Sequence, residues 1–208
     1  MTDETAEGTR ADGKPWVHPL TRAAWRTWLI ANHRTTSSGV HLVTWRKVTG
    51  RPSVAYGDAV EEALCVGWVD SIAGKLDDER STLWFTKRRP KSGWSRPNKE
   101  RVERLLTAGQ MLPAGLAAIE EAKRRGTWSL LDEVEDLIVP DDLVAAFAAR
   151  PPARANWDAF SRSARRGILE WIVQAKRPET RARRVEETAT LAARNEKVNQ
   201  WVPRDQRT

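Results

Sequence analysis

The residues most able to do chemistry lie beside tryptophans at the ends of two predicted strands. Trp68 and Asp70 fall in the apolar run VGWVDSI, where strand alternation places them on the same face. The other members of this set are polar, basic or aromatic residues of the same strands and the loop that follows: Ser71, Trp84, Lys87, Arg88, Ser92, Trp94, Ser95 and Asn98. Loops at strand ends often carry binding groups. Tryptophan faces with arginine, serine and asparagine donors predict a pocket for a planar or anionic ligand.

Asp70 is the candidate for acid–base catalysis in this set. A carboxylate between Trp68 and a basic segment is the kind of group whose pKa a protein can tune for proton transfer. Ser71, Ser92 or Ser95 would then position the substrate. The structural alternative, given equal weight, is that the tryptophans fill the core and Asp70 pairs with an arginine. Ser95 has its own alternative role as a helix N-cap, which is the favoured interpretation.

A second basic cluster contains Arg181 and Arg184, which are three residues apart and share a helix face. Two guanidinium groups can clamp a phosphate or a carboxylate. They can equally pair with the acidic block at residues 132–142, or with Asp70. Intramolecular pairing is the favoured interpretation.

Other reaction classes lack their sequence signatures. The three histidines lie in unrelated contexts far from the one cysteine, so no zinc-ligand spacing is present. Metalloprotease, EF-hand, Walker, dinucleotide-binding and esterase-elbow motifs are absent. Cys65 lies in the apolar run ALCVGW, which favours a buried structural thiol. We therefore expect neither a metal nor a cofactor.

Hydrophobic periodicity predicts an α+β fold, with a small sheet in the N-terminal half and a mostly helical C-terminal half. A flexible tail is expected over residues 1–15, followed by a single domain over 16–208 with an α/β part to about 108 and a helical part over about 109–195. Predicted strands span residues 40–47, 66–72 and 82–87. Predicted helices span residues 21–33, 58–64, 95–108, 113–125, 141–149, 157–175 and 179–194.

Composition predicts a soluble bacterial protein of the cytoplasm. The chain has 208 residues, of which 40% are hydrophobic and 30% charged, as in folded globular proteins. No apolar stretch approaches the roughly 18 residues of a membrane helix, and the N-terminus lacks the pattern of a secretory signal. The single cysteine fits a reducing compartment. Tryptophan supplies 11 residues, against three phenylalanines and one tyrosine, and the net charge of +7 arises after residue 149.

Five segments of the chain resemble the YdeI/OmpD-associated proteins, also called bacteriocin-protection proteins. They are GDAVEEALCVGWVDS, FTKRRPKSGWSRPNKERVERLLTAGQM, PAGLAAIEEAKRRGTW, VPDDLVAAF and AKRPETRARRVEE, and they span much of residues 16–194. The resemblance implies a role in resistance to cationic antimicrobial peptides or in envelope stress. It implies no catalytic residue. The motif positions that it does carry over are Gly67, Trp68, Asp70, Ser71, Arg88, Ser92, Trp94, Ser95, Asn98, Thr180, Arg181 and Arg184.

Three functions follow, in order of preference. The first is a cytoplasmic stress or antimicrobial-resistance protein that binds a small molecule or peptide in a pocket built from Trp68, Trp84 and Trp94. The second is a metal-independent enzyme that uses Asp70 as acid or base. The third is nucleic-acid binding through the basic C-terminal helices, although no helix-turn-helix or RNA-binding motif is present.

Overall fold

A computed structural model describes residues 5–36 and 38–198 of the chain. The chain divides into two compact units, Met1–Trp128 and Ser129–Thr208. The first holds a sheet and the second is helical, which confirms the α+β class. The sequence predicted the change from an α/β part to a helical part near residue 108. It falls later because Ile119 and Ala122 are buried in the core of the first unit.

The first unit contains a five-stranded sheet with the order β1-β2-β3-β5-β4. Its strands are β1 Ala6–Thr9, β2 Pro15–His18, β3 Val40–Trp45, β4 Trp68–Lys75 and β5 Arg80–Lys87. Strands β2 and β3 are parallel, whereas the other neighbours are antiparallel.

The N-terminal segment joins the sheet where a flexible tail was expected over residues 1–15. Ala6–Thr9 pairs with β2, and Gly8 lies opposite Trp16. A side chain at Gly8 would meet the Trp16 ring, since an ideal Cβ there lies 2.5 Å from a ring carbon. A glycine lets the indole cover the strand, a contact that a polar composition does not reveal. Residues 1–4 of the expected tail lie outside the described residues.

Strands β4 and β5 form a tight hairpin, whereas the predicted strands stop at residue 72 and resume only at residue 82. Strand β4 continues to Lys75 past a bulge between Asp70 and Ala73. The Asp77 carboxylate closes the turn, because its Oδ1 accepts hydrogen bonds from the backbone N–H groups of Glu79, at 3.0 Å, and Arg80, at 2.8 Å. A side chain that caps its own turn is common for aspartate.

The helices of the first unit pack with one face of the sheet. They are α1 Arg22–Asn32, a short 3-10 helix Lys47–Thr49, α2 Tyr56–Cys65, α3 Arg96–Thr107 and α4 Pro113–Arg124. Thr21 caps α1 at the start of the helix predicted over residues 21–33, with its hydroxyl oxygen accepting from the Ala24 N–H at 3.1 Å. Trp25 of α1 contacts Phe85 of β5, with ring centroids 5.4 Å apart. These contacts form the core of the first unit.

Every regular element described in the second unit is a helix. It contains α5 Asp132–Glu135, α6 Asp141–Ala148, α7 Ala153–Ala159, α8 Arg162–Val173 and α9 Pro178–Ala193. One long helix was predicted over residues 157–175, but Phe160 adopts an extended backbone and Ser161 caps a new helix through the Ala164 N–H. Both segments bury their apolar residues in one core, so the spacing alone concealed the break. Among the helices described, none is long and apolar enough to cross a membrane.

Candidate functional site

The predicted pocket of Trp68, Trp84 and Trp94 is not assembled in the first unit. Trp68 is fully buried on the helix-covered face, where Asp70 pairs with Phe85. Trp84 precedes Phe85 and therefore points to the opposite face, where its ring lies 4.5 Å from that of His41. A sheet thus separates Trp68 from Trp84.

Trp94 and Arg88 form a packed pair at the end of β5. Trp94 is 1% exposed, and the Arg88 guanidinium carbon lies 3.8 Å from its ring centroid. Arg88 also donates a hydrogen bond to the Gly93 carbonyl. Burial lowers the pKa of Arg88 to about 10, against the opposing attraction of Asp70. These contacts give Arg88 a structural role: it packs against Trp94 and bonds to the Gly93 carbonyl.

Asp70 accepts a hydrogen bond from the Tyr56 hydroxyl, with an oxygen–oxygen distance of 3.0 Å. Burial, followed by this hydrogen bond, raises the pKa of Tyr56. The Asp70 side chain is half-buried. An acid–base role needs a cavity for the substrate, and Asp70 lines none of the three cavities described below.

The remaining predicted residues of this region serve local structure or face solvent. Ser71 and Lys87 are exposed, and the Ser92 hydroxyl donates to the Arg89 carbonyl at 2.8 Å. The Asn98 side-chain oxygen accepts from Arg101 at 3.1 Å. Ser95 precedes α3 as expected, but among the described residues its side chain makes no capping hydrogen bond.

Arg181 and Arg184 lie on α9 of the second unit and have different partners. Arg181 pairs with Asp142 at 2.7 and 3.0 Å, which confirms the predicted pairing with the acidic block. Arg184 stacks on Trp171, with its guanidinium carbon 4.7 Å from the ring centroid, and donates to the Trp171 carbonyl. The two guanidinium groups are therefore engaged separately rather than as a clamp.

A cavity of about 110 Å³ opens in the second unit beside Arg181. Its lining is mostly aliphatic and consists of Leu130, Glu133, Val134, Ile138, Pro140, Leu169, Ile172, Val173 and Arg181. Ile138 is 51% exposed although it is a large apolar residue. Sequence reasoning missed this site because its lining residues have the spacing of ordinary core positions. The one available signal was the apolar triplet LIV before Pro140.

Exposed carboxylates lie next to some of these lining residues in the sequence. We call Glu133, Asp136, Asp141 and Asp142 the acidic rim, because Glu133 lines the cavity and the other three flank Ile138 and Pro140. All four are exposed. Residues 132–142 hold six acids and no base. The cavity lining itself carries one carboxylate, Glu133, and one cation, Arg181, which pairs with Asp142.

Two further open cavities lie among the described residues of the first unit. One of about 660 Å³ is lined by Thr44, Trp45, Arg46, Lys47, Val48, Arg51, Ser53, Val54, Ala55, Tyr56 and Ser81. The other, of about 340 Å³, is lined by Thr5, Ala23, Ala24, Thr27, Trp28, Ala31 and Asn32. The first of these is basic and the second is nearly uncharged.

The described part of the chain contains no cluster of three or more histidine, cysteine, aspartate or glutamate side chains that could hold a metal ion. Cys65 is buried, and burial raises the pKa of its thiol. A raised pKa keeps the thiol protonated and weakly nucleophilic.

Comparison with known proteins matches two segments of the chain to different families. Residues 136–195 match the family described as bacteriocin-protection, YdeI or OmpD-associated. The suspected family is thereby confirmed over this segment, which contains the last two of the resembling motifs. Residues 17–118 instead match a domain of unknown function, DUF8412. No curated protein and no solved structure is significantly similar to the chain.

Proposed function

We propose, on the premise of the family match at residues 136–195, that this protein acts in protection against bacteriocins by binding a cationic, amphipathic peptide through its second unit. The observation that carries the proposal is the aliphatic cavity of about 110 Å³ with Glu133 at its edge. An apolar side chain of the peptide would enter the cavity while its basic side chains contact the acidic rim.

The cavity has the size and chemistry for a small aliphatic side chain. An apolar cavity of about 150 Å³ accommodates a benzene molecule, so one of about 110 Å³ suits a valine or leucine side chain. Burying such a side chain contributes roughly 1.5–3 kcal/mol. The same contact would cover Ile138, which is half exposed in the free protein.

The acidic rim gives the site its preference for cationic ligands. Glu133 and Asp141 have no ion-pair partner within the described ranges. An exposed ion pair contributes only about 0.2–1 kcal/mol. The rim would therefore set selectivity and association rate, whereas the cavity would supply most of the affinity.

The basic residues of the second unit support nucleic-acid binding less well. Four of its arginines already pair with carboxylates of the same unit: Arg150 with Glu186, Arg154 with Asp158, Arg166 with Glu135 and Glu170, and Arg181 with Asp142. A neutralised guanidinium releases few counterions from DNA or RNA. Four of the 14 lysines and arginines that follow residue 149 are thus engaged within the unit.

The binding test uses the full chain and two labelled peptides, one rich in leucine and lysine and one in which glutamate replaces lysine. Fluorescence anisotropy should show clearly tighter binding of the lysine peptide. Glu133→Lys should weaken it by about tenfold, or ~1.4 kcal/mol. Glu187→Lys is the matched control, because Glu187 is exposed on α9 and outside the cavity lining. Equal binding of both peptides, or equal losses in both variants, would refute peptide recognition at this site.

A survival assay tests the protective role itself. Bacteria that produce the wild-type protein should survive a cationic bacteriocin better than bacteria that produce Ile138→Asp, which places a charge at the cavity mouth. Glu187→Lys should protect like the wild type. If Ile138→Asp abolishes binding in vitro but protects fully, the link between the cavity and protection is wrong.

A further inference from the structure

We propose that the first unit carries a separate site for the phosphate group of a small molecule. The site is the groove of about 660 Å³ at the end of β3, which we call the basic groove. Its charged lining residues are Arg46, Lys47 and Arg51, and no acidic residue lines it. This inference is independent of peptide binding by the second unit.

A tight turn brings the three cations to one groove. The 3-10 helix Lys47–Thr49 follows β3 directly, and the Thr49 hydroxyl donates to the Arg46 carbonyl at 2.8 Å. Gly50 then adopts a left-handed backbone with φ of 64°, which glycine tolerates without strain. The chain therefore reverses within five residues and places Arg51 on the same groove as Arg46.

The positive charge of the groove is only partly compensated, because Glu79 pairs with Arg51 and the Asp78 carboxylate, held mainly by Lys75, also attracts Arg46. Arg46 donates to the carbonyl oxygen of Asp78 at 2.9 Å, a bond that fixes the side chain and involves no carboxylate. Lys47 is exposed and has no partner in the part of the chain that the structure describes. Arg51 meets the Glu79 carboxylate only at 3.4 Å, with the two side chains 49% and 58% exposed. A ligand anion can displace so loose a surface pair at little cost.

Contact with Trp45 restrains the Arg51 side chain at the groove. The guanidinium carbon of Arg51 lies 4.3 Å from the Trp45 ring centroid, and the backbone N–H of Trp45 donates to the Ser53 hydroxyl oxygen at 3.1 Å. Contact with the ring restrains the guanidinium, and an anion that displaces Glu79 would accept hydrogen bonds from its N–H groups. A restrained guanidinium loses less conformational entropy on binding than a mobile one.

Phosphate fits this groove better than a single carboxylate does. A phosphate monoester carries close to two negative charges at neutral pH and offers three oxygens, so it can engage all three cations. A volume of about 660 Å³ is within the range of small-molecule sites and leaves room for an organic group beyond the phosphate. Tyr56, 57% exposed, gives that group an aromatic surface.

Isothermal titration calorimetry of the full chain with pyrophosphate tests the inference. Malonate is the carboxylate arm and a short oligothymidylate is the nucleic-acid arm. Pyrophosphate should bind, malonate should bind more weakly, and Lys47→Gln/Arg51→Gln should weaken pyrophosphate binding by at least about tenfold, or ~1.4 kcal/mol. Circular dichroism checks that the double variant folds.

Lys91→Gln is the matched control, because Lys91 is exposed in the same unit and does not line the groove. It should change pyrophosphate affinity by less than about twofold, as expected for a remote surface charge. Three results would overturn the inference: no pyrophosphate binding at millimolar concentration, equal losses in the control and the double variant, or much tighter oligothymidylate binding with a steep salt dependence. The Glu133→Lys variant should leave this binding unchanged, which separates the site from the peptide site.

Discussion

The guanidinium of Arg181 is held at two points by the carboxylate of Asp142, with nitrogen–oxygen distances of 2.7 and 3.0 Å. This pair joins α9 to the start of α6 at the edge of the aliphatic cavity. It removes one of the two predicted clamp residues from anion binding. It also leaves Glu133 as the carboxylate of the cavity lining.

Two ion pairs of the second unit should differ strongly in their contribution to stability. The side chains of Arg181 and Asp142 are 34% and 42% exposed, so Arg181→Gln should cost no more than about 1 kcal/mol. Glu135 is 8% exposed and accepts hydrogen bonds from Arg166, so Glu135→Ala should cost about 1.5–3 kcal/mol, although Arg166 keeps its pair with Glu170. Urea unfolding measures both changes. An equal or reversed order would contradict this account of the two pairs.

Gly115 should not tolerate a methyl group. A Cβ there would overlap the Cys65 carbonyl oxygen and lie 2.7 Å from that of Leu64, so it would push α4 away from α2. We expect Gly115→Ala to destabilise the protein by about 1–3 kcal/mol. Gly57→Ala is the control, since nothing lies within 4 Å of a Cβ at that helical position. It should be neutral or stabilising by up to about 1 kcal/mol, and thermal unfolding compares the two.

Two buried histidines should make the first unit sensitive to acid. Burial lowers the pKa of His41, and the nearby cations Arg10 and Lys14 lower it further against the attraction of Asp12. Its ring contacts Trp84, and neither ring nitrogen has a partner among the described residues. A proton on His41 would thus be poorly solvated in the folded protein.

His18 repeats the pattern on β2. Burial lowers its pKa, Arg80 adds to this effect, and Asp77 opposes it. Both histidines therefore take up a proton at lower pH in the folded state than in the unfolded chain, whose histidines titrate near about pH 6.5. The free energy of unfolding should be highest above that pH and should fall as pH decreases toward the lowered folded-state values. Urea midpoints from pH 8 to 5 should fall less for His41→Gln than for the wild type, and parallel curves would refute this assignment.

The ionisation of Tyr56 reports on its contact with Asp70. Burial and then the hydrogen bond to Asp70 raise the phenol pKa above its ordinary value of 10.0, whereas Arg101 lowers it. Tyr56 is the only tyrosine of the sequence, so ultraviolet absorbance during alkaline titration reads it without overlap from other phenols. Asp70→Asn should lower its pKa, and Arg101→Gln should raise it. An unchanged titration in Asp70→Asn would show that the contact is absent in solution.

Local rules predicted most elements of the fold. The helix predicted from Thr21, the strand predicted from Val40 and the helix predicted to end before Gly109 all depend on interactions a few residues apart. The failures involve longer-range causes. Strand β1 exists because the Trp16 indole covers Gly8, and the break at Phe160 is hidden because both helices share one core.

The candidate sites were harder to predict than the elements. The pairing of Arg181 with the acidic block follows from opposite charges on helical segments, and it was anticipated. The pocket around Trp68 and Trp84 failed because the alternation rule places residues on faces only when the strand register is known, and the register came from tertiary pairing. The aliphatic cavity depends on side chains of four segments meeting, for which one sequence gives no pattern.

Isoleucine methyl resonances test peptide binding at the cavity most directly. The chain has six isoleucines, of which Ile138 and Ile172 line the cavity and Ile30, Ile72 and Ile119 belong to the first unit. In the full chain labelled at the isoleucine δ1 methyls, the leucine–lysine peptide should shift the Ile138 and Ile172 signals and leave those of the first unit unchanged. Saturable binding that shifts only first-unit signals, or none of the six, would contradict the proposed function.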